Sequence, residues 1–491
     1  MTLIEMFPLQ SLTAEDYGSL LPLFLLSFGA VISLLVGTNK TKGHSRAFIV
    51  SGVTLVLCIL SFGANVGSDA VNLLNGTLVI DSFTRTLSFA ACLFALISVI
   101  ITRGTDVKEH LLSEVYALIQ FSTAGMILMM STNHLLFMFI ALEIMSLAVY
   151  VLVAMRRTSY FSAEAGLKYF ILGGLGSALL LYGTSLIFGA TGSFVLSAIE
   201  TYVSTHAPTP IYYVGLGLVL TAMLFKVGAV PFHGWVPDVY QGAATNVTAF
   251  MGAGVKFTAF MALGRIVLNT VFVDGVPGMH WFESYIWLVA AASMIYGNFV
   301  AISQSEVKRM LAYSTIAHTG YLLLGLSAMK MGPEAAQSII LYLFFYALSS
   351  LGAFAIVAQF EGANEKDIRI EQLAGMGLKH PVMGACMTVF LLSMAGIPMT
   401  SGFIGKYGLF NSAVNAGQVP LVVIAVLTSV VSVYYYLRVI VYMFMRESSG
   451  ETVSYQNLKG AGLVAALSAA ATLQFGVFPR AIIHLVKYFG K

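Results

Sequence analysis

Long apolar stretches separated by short polar segments run along almost the whole chain. Fourteen of them each approach the roughly 20 residues that a helix needs to cross a bilayer, and they lie near residues 18–38, 47–67, 84–102, 113–131, 134–155, 165–188, 210–230, 247–270, 284–303, 310–328, 336–359, 383–411, 419–445 and 460–478. Strand-like alternation is absent, and the stretches exceed the length of a barrel strand. The pattern predicts an all-α, polytopic membrane protein with about fourteen transmembrane helices.

Composition agrees with this prediction and narrows the function. Of 491 residues, 58% are hydrophobic and 10% are charged, whereas a soluble domain carries roughly 25% charged residues. A soluble enzyme and a disordered chain are both excluded. The net charge of +3 provides no basic patch for nucleic acid. Cys58, Cys92 and Cys386 lie in apolar stretches without ligand spacing, so neither a metal site nor a disulfide is predicted.

Loop charges predict the orientation of the helices, because basic residues favour cytoplasmic loops. With the N-terminus outside, the loops after helices 1, 3, 5, 9, 11 and 13 hold fourteen basic residues: Lys40, Lys42, Arg46, Arg103, Lys108, Arg156, Arg157, Lys308, Arg309, Lys366, Arg369, Lys379, Arg446 and Lys459. The outer side holds five: Arg85, Lys330, Arg480, Lys487 and Lys491. This bias predicts that both termini lie on the outer, periplasmic side.

The remaining basic residues lie inside the predicted helices. They are Lys168, Lys226, Lys256, Arg265, Lys406 and Arg438, and Glu143 is their acidic counterpart in helix 5. A charge at the bilayer centre costs at least ~2.5–3.5 kcal/mol, so these side chains should face the bundle interior or water. Lysine can change its protonation state there, whereas arginine cannot. The four lysines are therefore candidates for moving protons.

Two of the apolar stretches contain a proline after small residues. Helix 7 ends with Lys226-Val227-Gly228-Ala229-Val230-Pro231, and helix 12 contains Met394-Ala395-Gly396-Ile397-Pro398. Proline interrupts the helical hydrogen bonds, and broken backbone at membrane depth is tolerated only when it is buried or lines a cavity. Paired interrupted helices are typical of inverted-repeat transporters. Helices 7 and 12 are therefore predicted to be discontinuous.

The same two stretches indicate an internal repeat. Pro398 follows Pro231 by 167 residues, and His318 follows Glu143 by 175, so helices 5 and 7 correspond to helices 10 and 12. An offset of five helices reverses the direction through the membrane. The predicted organisation is 1–112 (helices 1–3), 113–270 (first inverted unit, helices 4–8), 284–445 (second inverted unit, helices 9–13) and 460–491 (helix 14 and tail). The alternative is chance similarity between apolar helices.

The stretch at the end of helix 7 reads Phe225-Lys226-x-x-Ala229-Val230-Pro231-Phe232-His233-x-Trp235-x-Pro237-Asp238-Val239-Tyr240-Gln241-Gly242-Ala243. It resembles a signature of the antiporter-like membrane subunits of respiratory complex I (NADH–quinone oxidoreductase). Four further stretches resemble the same family: Ala141-Leu142-Glu143, Lys168-Tyr169-Phe170, Met310 to His318, and Ala395 to Lys406. The resemblance runs from about residue 80 to 440 in order and spacing. Asp238-Val239-Tyr240 and Lys406 favour one of the three such subunits.

The resemblance implies roles for individual residues. Lys226 would be the central proton-carrying lysine with Glu143 as its partner. Lys168, Lys256, His318 and Lys406 would be further stations of the proton path, and His233 would guard an entrance. Each role has an ordinary alternative. Glu143 and Lys226 could form a static ion pair, Lys168 could simply pair with Glu164, Lys256 could reach the cytoplasmic surface, and His318 could be a satisfied core residue.

The resemblance also implies partners. The sequence contains no cysteine cluster for an iron–sulfur centre and no G-x-G-x-x-G after a strand. We therefore expect no electron-transfer chemistry in this chain, and NADH, FMN, iron–sulfur clusters and quinone would be bound by partner subunits. The expected partners are antiporter-like and small membrane subunits, the peripheral redox arm and lipids of the bacterial inner (plasma) membrane. The alternatives are a stand-alone or Mrp-type cation/proton antiporter subunit, and a scaffold subunit that pumps nothing.

Overall fold

The structure is a computed structural model that describes residues 14–39, 42–103, 111–156, 159–273, 279–361, 368–447, 453, 455–480 and 482–483. The two chain ends of the predicted organisation extend beyond these residues. Six of the basic residues used to predict orientation also lie outside the described residues: Lys40, Lys108, Arg157, Lys366, Lys487 and Lys491.

Each of the fourteen predicted stretches coincides with a helix or a pair of helices. These are α1 (Ala14–Gly37), α2 (Gly43–Ala64), α3 (Ser82–Thr102), α4 (Leu112–Ser131), α5 (Leu135–Val153), α6 (Tyr160–Thr191), α7 (Pro210–Val227), α8 (Thr245–Thr270, with a π-helical turn at Met251–Val255), α9 (Met279–Ser303), α10 (Val307–Ser327), α11 (Pro333–Glu361), α12a (Pro381–Ala395), α12b (Ser401–Asn415), α13 (Val419–Met445) and α14 (Lys459–Val477). Short helices lie at Leu196–Thr205, Trp235–Gly242, Met329–Met331, Ile370–Leu373 and Met376–Lys379.

Twelve of the helices in the described part are long and apolar enough to cross a membrane. The two predicted stretches outside this set have clear physical reasons. α10 is less apolar because it carries polar residues such as His318, and nearly all its side chains are buried in protein. Helix 12 is divided into two halves of 15 residues each. The predicted all-α polytopic membrane fold is confirmed.

The helices differ in how far they are shielded from lipid. In an apolar segment of 18 residues, α8 and α11 bury 94% and 89% of the residues inside the protein. The corresponding segments of α1 and α2 bury only 28% and 33%. A helix that is apolar on every side and buried occupies the centre of a bundle. The centre of this bundle is therefore formed by α8, α10 and α11, which carry Lys256 and His318.

The sequence pattern did not anticipate a small β-hairpin between α2 and α3. Strands β1 (Val71–Leu73) and β2 (Leu78–Ile80) pair antiparallel. Asn75 and Gly76, the two central residues of the turn closed by the hydrogen bond from Thr77 N–H to the Leu74 carbonyl, have positive φ angles, as the tight hairpin turn requires. Strands of three residues leave too little sequence for alternation to be recognised.

Both predicted discontinuous helices end in the same backbone motif. Gly228 after α7 and Gly396 after α12a have left-handed φ angles of 72° and 87°, which glycine adopts without steric penalty. Each glycine and the next residue donate hydrogen bonds back to the last helical turn and close a Schellman motif, with N–H to O pairs Gly228 to Phe225, Ala229 to Leu224, Gly396 to Ser393 and Ile397 to Leu392. In the structure, Gly228 and Gly396 occupy equivalent positions, because both have left-handed φ angles. When Pro231 is aligned with Pro398 in the sequence, Gly228 corresponds to Ala395 instead. The inverted repeat itself stays a prediction.

Candidate functional site

Four of the predicted site residues lie deep inside the bundle. The exposed fractions of Lys226, Lys256, Lys406 and His318 are 5%, 4%, 4% and 2%. Lysine is almost never fully buried without a compensating partner. The contacts of each ammonium group therefore decide what the site can do.

Lys226 lies in the last turn of α7, directly before the break. Its ammonium donates a hydrogen bond to Ser146 Oγ at 2.7 Å and a longer one to the Tyr169 hydroxyl at 3.4 Å. The rings of Tyr150 and Tyr169 also lie within 5.7 and 5.4 Å of it. Trp235 stacks on Tyr169 and donates to the Phe225 carbonyl, which closes the site on the side of the break.

Glu143 lies one turn before Ser146 on α5 and accepts a hydrogen bond from Ser177 of α6. In the part of the chain that the structure describes, no ion pair within 4.0 Å joins Glu143 to Lys226. Lys226 instead contacts the hydroxyl of Ser146, which shares the helix with Glu143. The static ion pair is therefore not the arrangement in the structure. The predicted partnership of Glu143 with Lys226 in proton transfer stays a prediction.

Lys256 directly follows the π-helical turn of α8. Such turns are rare and frequently mark functional positions in helices. The ammonium donates to the Thr315 carbonyl of α10 at 2.6 Å and lies 4.8 Å from the centre of the Tyr346 ring. Lys256 therefore points into the bundle and does not reach the surface.

His318 on α10 uses both ring nitrogens. Nδ1 is hydrogen-bonded to the Tyr342 hydroxyl, and Nε2 to the Tyr436 hydroxyl at 3.1 Å. The Tyr346 ring that faces Lys256 also packs against the imidazole, with 4.6 Å between the ring centres. An imidazole with a partner on each nitrogen can accept a proton on one side and release it on the other. These contacts also satisfy the hydrogen-bonding requirement of a buried histidine. They therefore agree both with a station of the proton path and with a satisfied core residue.

Lys406 lies on α12b and is bonded across the break. Its ammonium donates to the carbonyl of Ala395, the last residue of α12a, at 3.0 Å, and to Ser429 Oγ at 2.8 Å. The Tyr321 ring centre is 4.9 Å away. Lys406 forms part of the wall of a cavity of about 490 Å³ between α12b and α13. The exposed side chains of Tyr407 and Val430 place the mouth of this cavity at the protein surface.

Sequence reasoning missed a set of hydrogen bonds and ring contacts between His318 and Lys406. In the sequence, Tyr434-Tyr435-Tyr436 is part of an ordinary apolar stretch, yet the Tyr435 hydroxyl donates to Asn298 Oδ1 at 3.0 Å. Asn298 in turn donates to the Tyr321 hydroxyl at 3.1 Å. Tyr436 contacts His318, and its ring packs against Tyr435. Three consecutive tyrosines in an apolar helix are typical of core packing. Only the fold shows which partners the Tyr435 and Tyr436 hydroxyls contact.

Lys168 is set apart from the buried lysines. Its side chain is 42% exposed and forms ion pairs with Glu164 and Asp238, both at 2.7 Å. Asp238 also binds Arg309 at 2.9 Å. Burial alone would raise the pKa of Asp238, but the hydrogen bonds from Lys168 and Arg309 outweigh it and hold the pKa below its usual value. Lys168 thus belongs to a surface network at one end of α6, and its predicted role in proton transfer stays a prediction.

This network predicts a small effect on stability. Asp238→Asn should lower the free energy of unfolding by no more than about 1 kcal/mol, as for other exposed pairs. Because the pKa is lowered in the folded state, the contribution is complete above the usual value of 3.8 and disappears as the pH falls through the folded value. Thermal unfolding of the native protein and the variant at several pH values measures this. A difference that persists in strong acid would contradict it.

His233, the predicted entrance gate, lies between the break and the short helix Trp235–Gly242. Its ring packs against Tyr296 with 4.6 Å between ring centres. In the described structure it forms no hydrogen bond to Lys226, and its gating role stays a prediction.

A buried carboxylate that was not predicted ties several helix ends together. Glu361 at the end of α11 accepts hydrogen bonds from Arg156 at 3.1 Å, from Lys308 at 3.2 Å and from the Thr245 hydroxyl. Lys308 also donates to the Ala243 carbonyl at 2.7 Å. Thr245, Lys308 and Glu361 come from α8, α10 and α11, and Arg156 comes from the loop after α5. In sequence they are ordinary loop and helix-end charges, because their meeting depends on the tertiary fold.

The left-handed glycine next to Lys406 gives a direct test of the site geometry. A Cβ at Gly396 would lie 2.9 Å from Lys406 Cδ, whereas Gly192 has a similar φ of 73° and open space around it. Both Gly396→Ala and Gly192→Ala should cost about 1–2 kcal/mol in left-handed strain. Only Gly396→Ala should also displace Lys406 and reduce ion transport. Equal transport in the two variants at equal assembly would show that the Lys406 position is not critical.

Buried lysines beside two broken transmembrane helices define a class of protein, the antiporter-like membrane subunits. Residues 132–432 match the family described as NADH:quinone oxidoreductase/Mrp antiporter, transmembrane. NADH-quinone oxidoreductase subunit N of Trichlorobacter lovleyi is 37% identical over 478 residues, which cover 95% of this chain and 96% of that protein. The chain therefore belongs to this family, among the relatives named NADH-quinone oxidoreductase subunit N, and the predicted resemblance is confirmed.

Solved structures agree with this assignment. A chain of respiratory complex I from Thermus thermophilus is 34% identical, with a TM-score of 0.81 and coverage of 94% of this chain and 98% of that one. A chain of the Mrp complex from Dietzia sp. has a TM-score of 0.81 and coverage of 96% and 97% at 21% identity, which shows the shared fold alone.

Proposed function

We propose that the chain is the proton-translocating subunit N of a complex I type NADH–quinone oxidoreductase. The observation that carries the proposal is the row of buried lysines, Lys226, Lys256 and Lys406, with His318 among them. None of the three ammonium groups is held by a carboxylate within 4.0 Å in the described residues. Each is bonded to neutral oxygen atoms and can give up a proton without breaking an ion pair.

The proposed path follows contacts between these residues. Protons enter from the cytoplasmic side near α7 or α8, load Lys226 and Lys256, and leave toward the outer side near Lys406. Thr319 supports the step between Lys226 and Lys256. Its hydroxyl contacts the carbonyl of Val227, next to Lys226, at 2.9 Å and the Thr315 carbonyl at 3.1 Å. The Thr315 carbonyl is also the acceptor for Lys256. The tyrosines around His318 support the later step toward Lys406.

Quinone reduction in partner subunits would supply the energy. NADH, FMN, the iron–sulfur clusters and quinone would be bound by those subunits, which include antiporter-like and small membrane subunits and the peripheral redox arm. The chain would lie in the inner membrane with both termini on the periplasmic side. A change of charge near Glu143 would alter the proton affinity of Lys226, because interacting ionisable groups titrate together.

A second candidate is an Mrp-type cation/proton antiporter subunit, which the family description and the shared fold of the Mrp chain favour. The two functions differ in their partners and driving force. Purification of the native complex in mild detergent, followed by reconstitution into vesicles, separates them. Co-purifying flavin and iron–sulfur subunits with NADH-driven proton uptake support the proposal. An assembly without redox subunits that exchanges cations for protons overturns it.

A further inference from the structure

The chain contains four buried lysines in the described region, and they are compensated in two different ways. Lys308 pairs with the carboxylate of Glu361 at 3.2 Å. The other three are Lys226, Lys256 and Lys406. In the described residues none of them has a carboxylate within 4.0 Å, and their hydrogen bonds go to hydroxyl or carbonyl oxygens. A buried ammonium with only neutral acceptors needs additional electrostatic support.

Tyrosine rings are the feature that the three lysines share. The Lys256 ammonium lies 4.8 Å from the Tyr346 ring centre, and the Lys406 ammonium lies 4.9 Å from that of Tyr321. Lys226 lies farther from two rings, at 5.4 Å from Tyr169 and 5.7 Å from Tyr150. All are within the roughly 6 Å over which the negative face of an aromatic ring attracts a cation.

The two closest rings are fixed by their own hydroxyl groups. The Tyr346 hydroxyl is bonded to Thr315 Oγ1 at 2.7 Å, and the Tyr321 hydroxyl accepts a hydrogen bond from Asn298 at 3.1 Å. Both side chains are buried. The ring faces are therefore held toward the ammonium groups by contacts that do not involve the lysines.

We propose that the ring faces of Tyr346 and Tyr321 are positioning elements that stabilise the protonated forms of Lys256 and Lys406 in place of a carboxylate. Tyr169 and Tyr150 do the same for Lys226. A carboxylate would hold the proton strongly on the lysine. A ring face attracts the cation more weakly and has no lone pair that competes for the proton, so the lysine can be loaded and emptied.

A histidine and several neutral polar groups also surround the two lysines. His318 of α10 neighbours both lysines, because its ring contacts the Tyr346 ring beside Lys256 and the Tyr321 ring beside Lys406. The Thr315 carbonyl and the Ser429 hydroxyl do not change their charge. Within the described residues, His318 is thus the titratable neighbour other than tyrosine that these contacts connect to Lys256 and Lys406.

The inference rests on the proposed function, and its test uses the assembled complex in membrane vesicles. Tyr321 is replaced with phenylalanine, with mono-, di- and trifluorinated phenylalanines, and with leucine. Fluorine weakens the negative ring face with little change in shape. We measure proton pumping against pH and follow the alkaline limb, where pumping falls as lysines lose their protons.

Phenylalanine keeps the ring but lacks the hydroxyl that binds Asn298, so it is the reference for the fluorinated series and for leucine. Successive fluorination should move the midpoint of the alkaline limb to lower pH in steps, and leucine should move it by about 0.4–1.5 pH units. The same series at Tyr212, a buried tyrosine whose hydroxyl contacts the Thr270 carbonyl, serves as the matched control and should not shift it. Tyr346 is expected to behave like Tyr321.

A flat fluorination series at both Tyr321 and Tyr346 in assembled complexes would overturn the inference. If the leucine variants fail to assemble, the fluorinated series decides, because it preserves the ring. Failure of the proposed function is recognised separately: Lys406→Ala would then pump normally. A flat series together with loss of pumping in Lys406→Ala would reject the role of the rings and leave the proposed function intact.

Discussion

Replacing Lys226 with alanine is expected to abolish or sharply reduce quinone-linked proton pumping while the complex still assembles. Lys226 is 5% exposed and lies at the break of α7, where its ammonium donates to Ser146. Alanine leaves the backbone motif at Gly228 intact and removes the group that takes up the proton. Proton uptake by vesicles, compared at equal amounts of assembled complex, measures the effect.

Lys226→Arg sharpens this test, because arginine keeps the positive charge but does not release its proton near neutral pH. We expect the arginine variant to lose pumping as well. Lys330→Ala is the matched control, since Lys330 is a partly exposed lysine paired with Glu283 at 2.9 Å, and it should pump normally. Normal pumping by assembled Lys226→Ala or Lys226→Arg would exclude Lys226 as the proton carrier.

Replacing Glu361 with alanine should cause the largest loss of stability. The change leaves Arg156 and Lys308 without the carboxylate that binds both, and removing one partner of a buried ion pair costs about 3–5 kcal/mol. We expect a marked fall in the melting temperature of the purified complex and reduced assembly. Thermal unfolding in detergent measures the first, and native electrophoresis measures the second.

Glu283→Ala is the matched control for Glu361→Ala. Glu283 and Lys330 form an ion pair of similar length, but their side chains are 33% and 36% exposed. Solvent and salt weaken such a pair, so its loss should change stability by no more than about 1 kcal/mol. Equal losses of stability in the two variants would show that burial of the ion pairs of Glu361 with Arg156 and Lys308 adds no stability.

Much of the fold was predictable because it depends on local sequence. An apolar stretch must form a helix in lipid, since its backbone has no other hydrogen-bond partners there, and all fourteen stretches are helical. The breaks were also predictable, because glycine and proline lie close together in both stretches. Glycine is a weak helix former, and proline interrupts the helical hydrogen bonds. Lys226, Lys256 and Lys406 were identified by the energetic penalty of placing a charge in the membrane.

The contacts of these residues were not predictable in the same way. Glu143 was predicted as the partner of Lys226, and the group that contacts the ammonium is Ser146, three positions later on the same helix. Which of two neighbouring polar groups reaches a lysine depends on helix rotation by a fraction of a turn. Glu361 and Asn298 were missed for a related reason, because their partners are far away in the chain and meet them only in the folded bundle.

The two Schellman motifs have an electrostatic consequence. The last turn of a helix carries roughly half an elementary negative charge from its aligned peptide dipoles. Lys226 lies in the last turn of α7, and Lys406 donates to the final carbonyl of α12a. The interrupted helices thus place a fixed negative potential beside two of the lysines that we propose as proton carriers. Because the backbone produces this potential, it does not titrate, and it would stay constant during the proposed proton transfer.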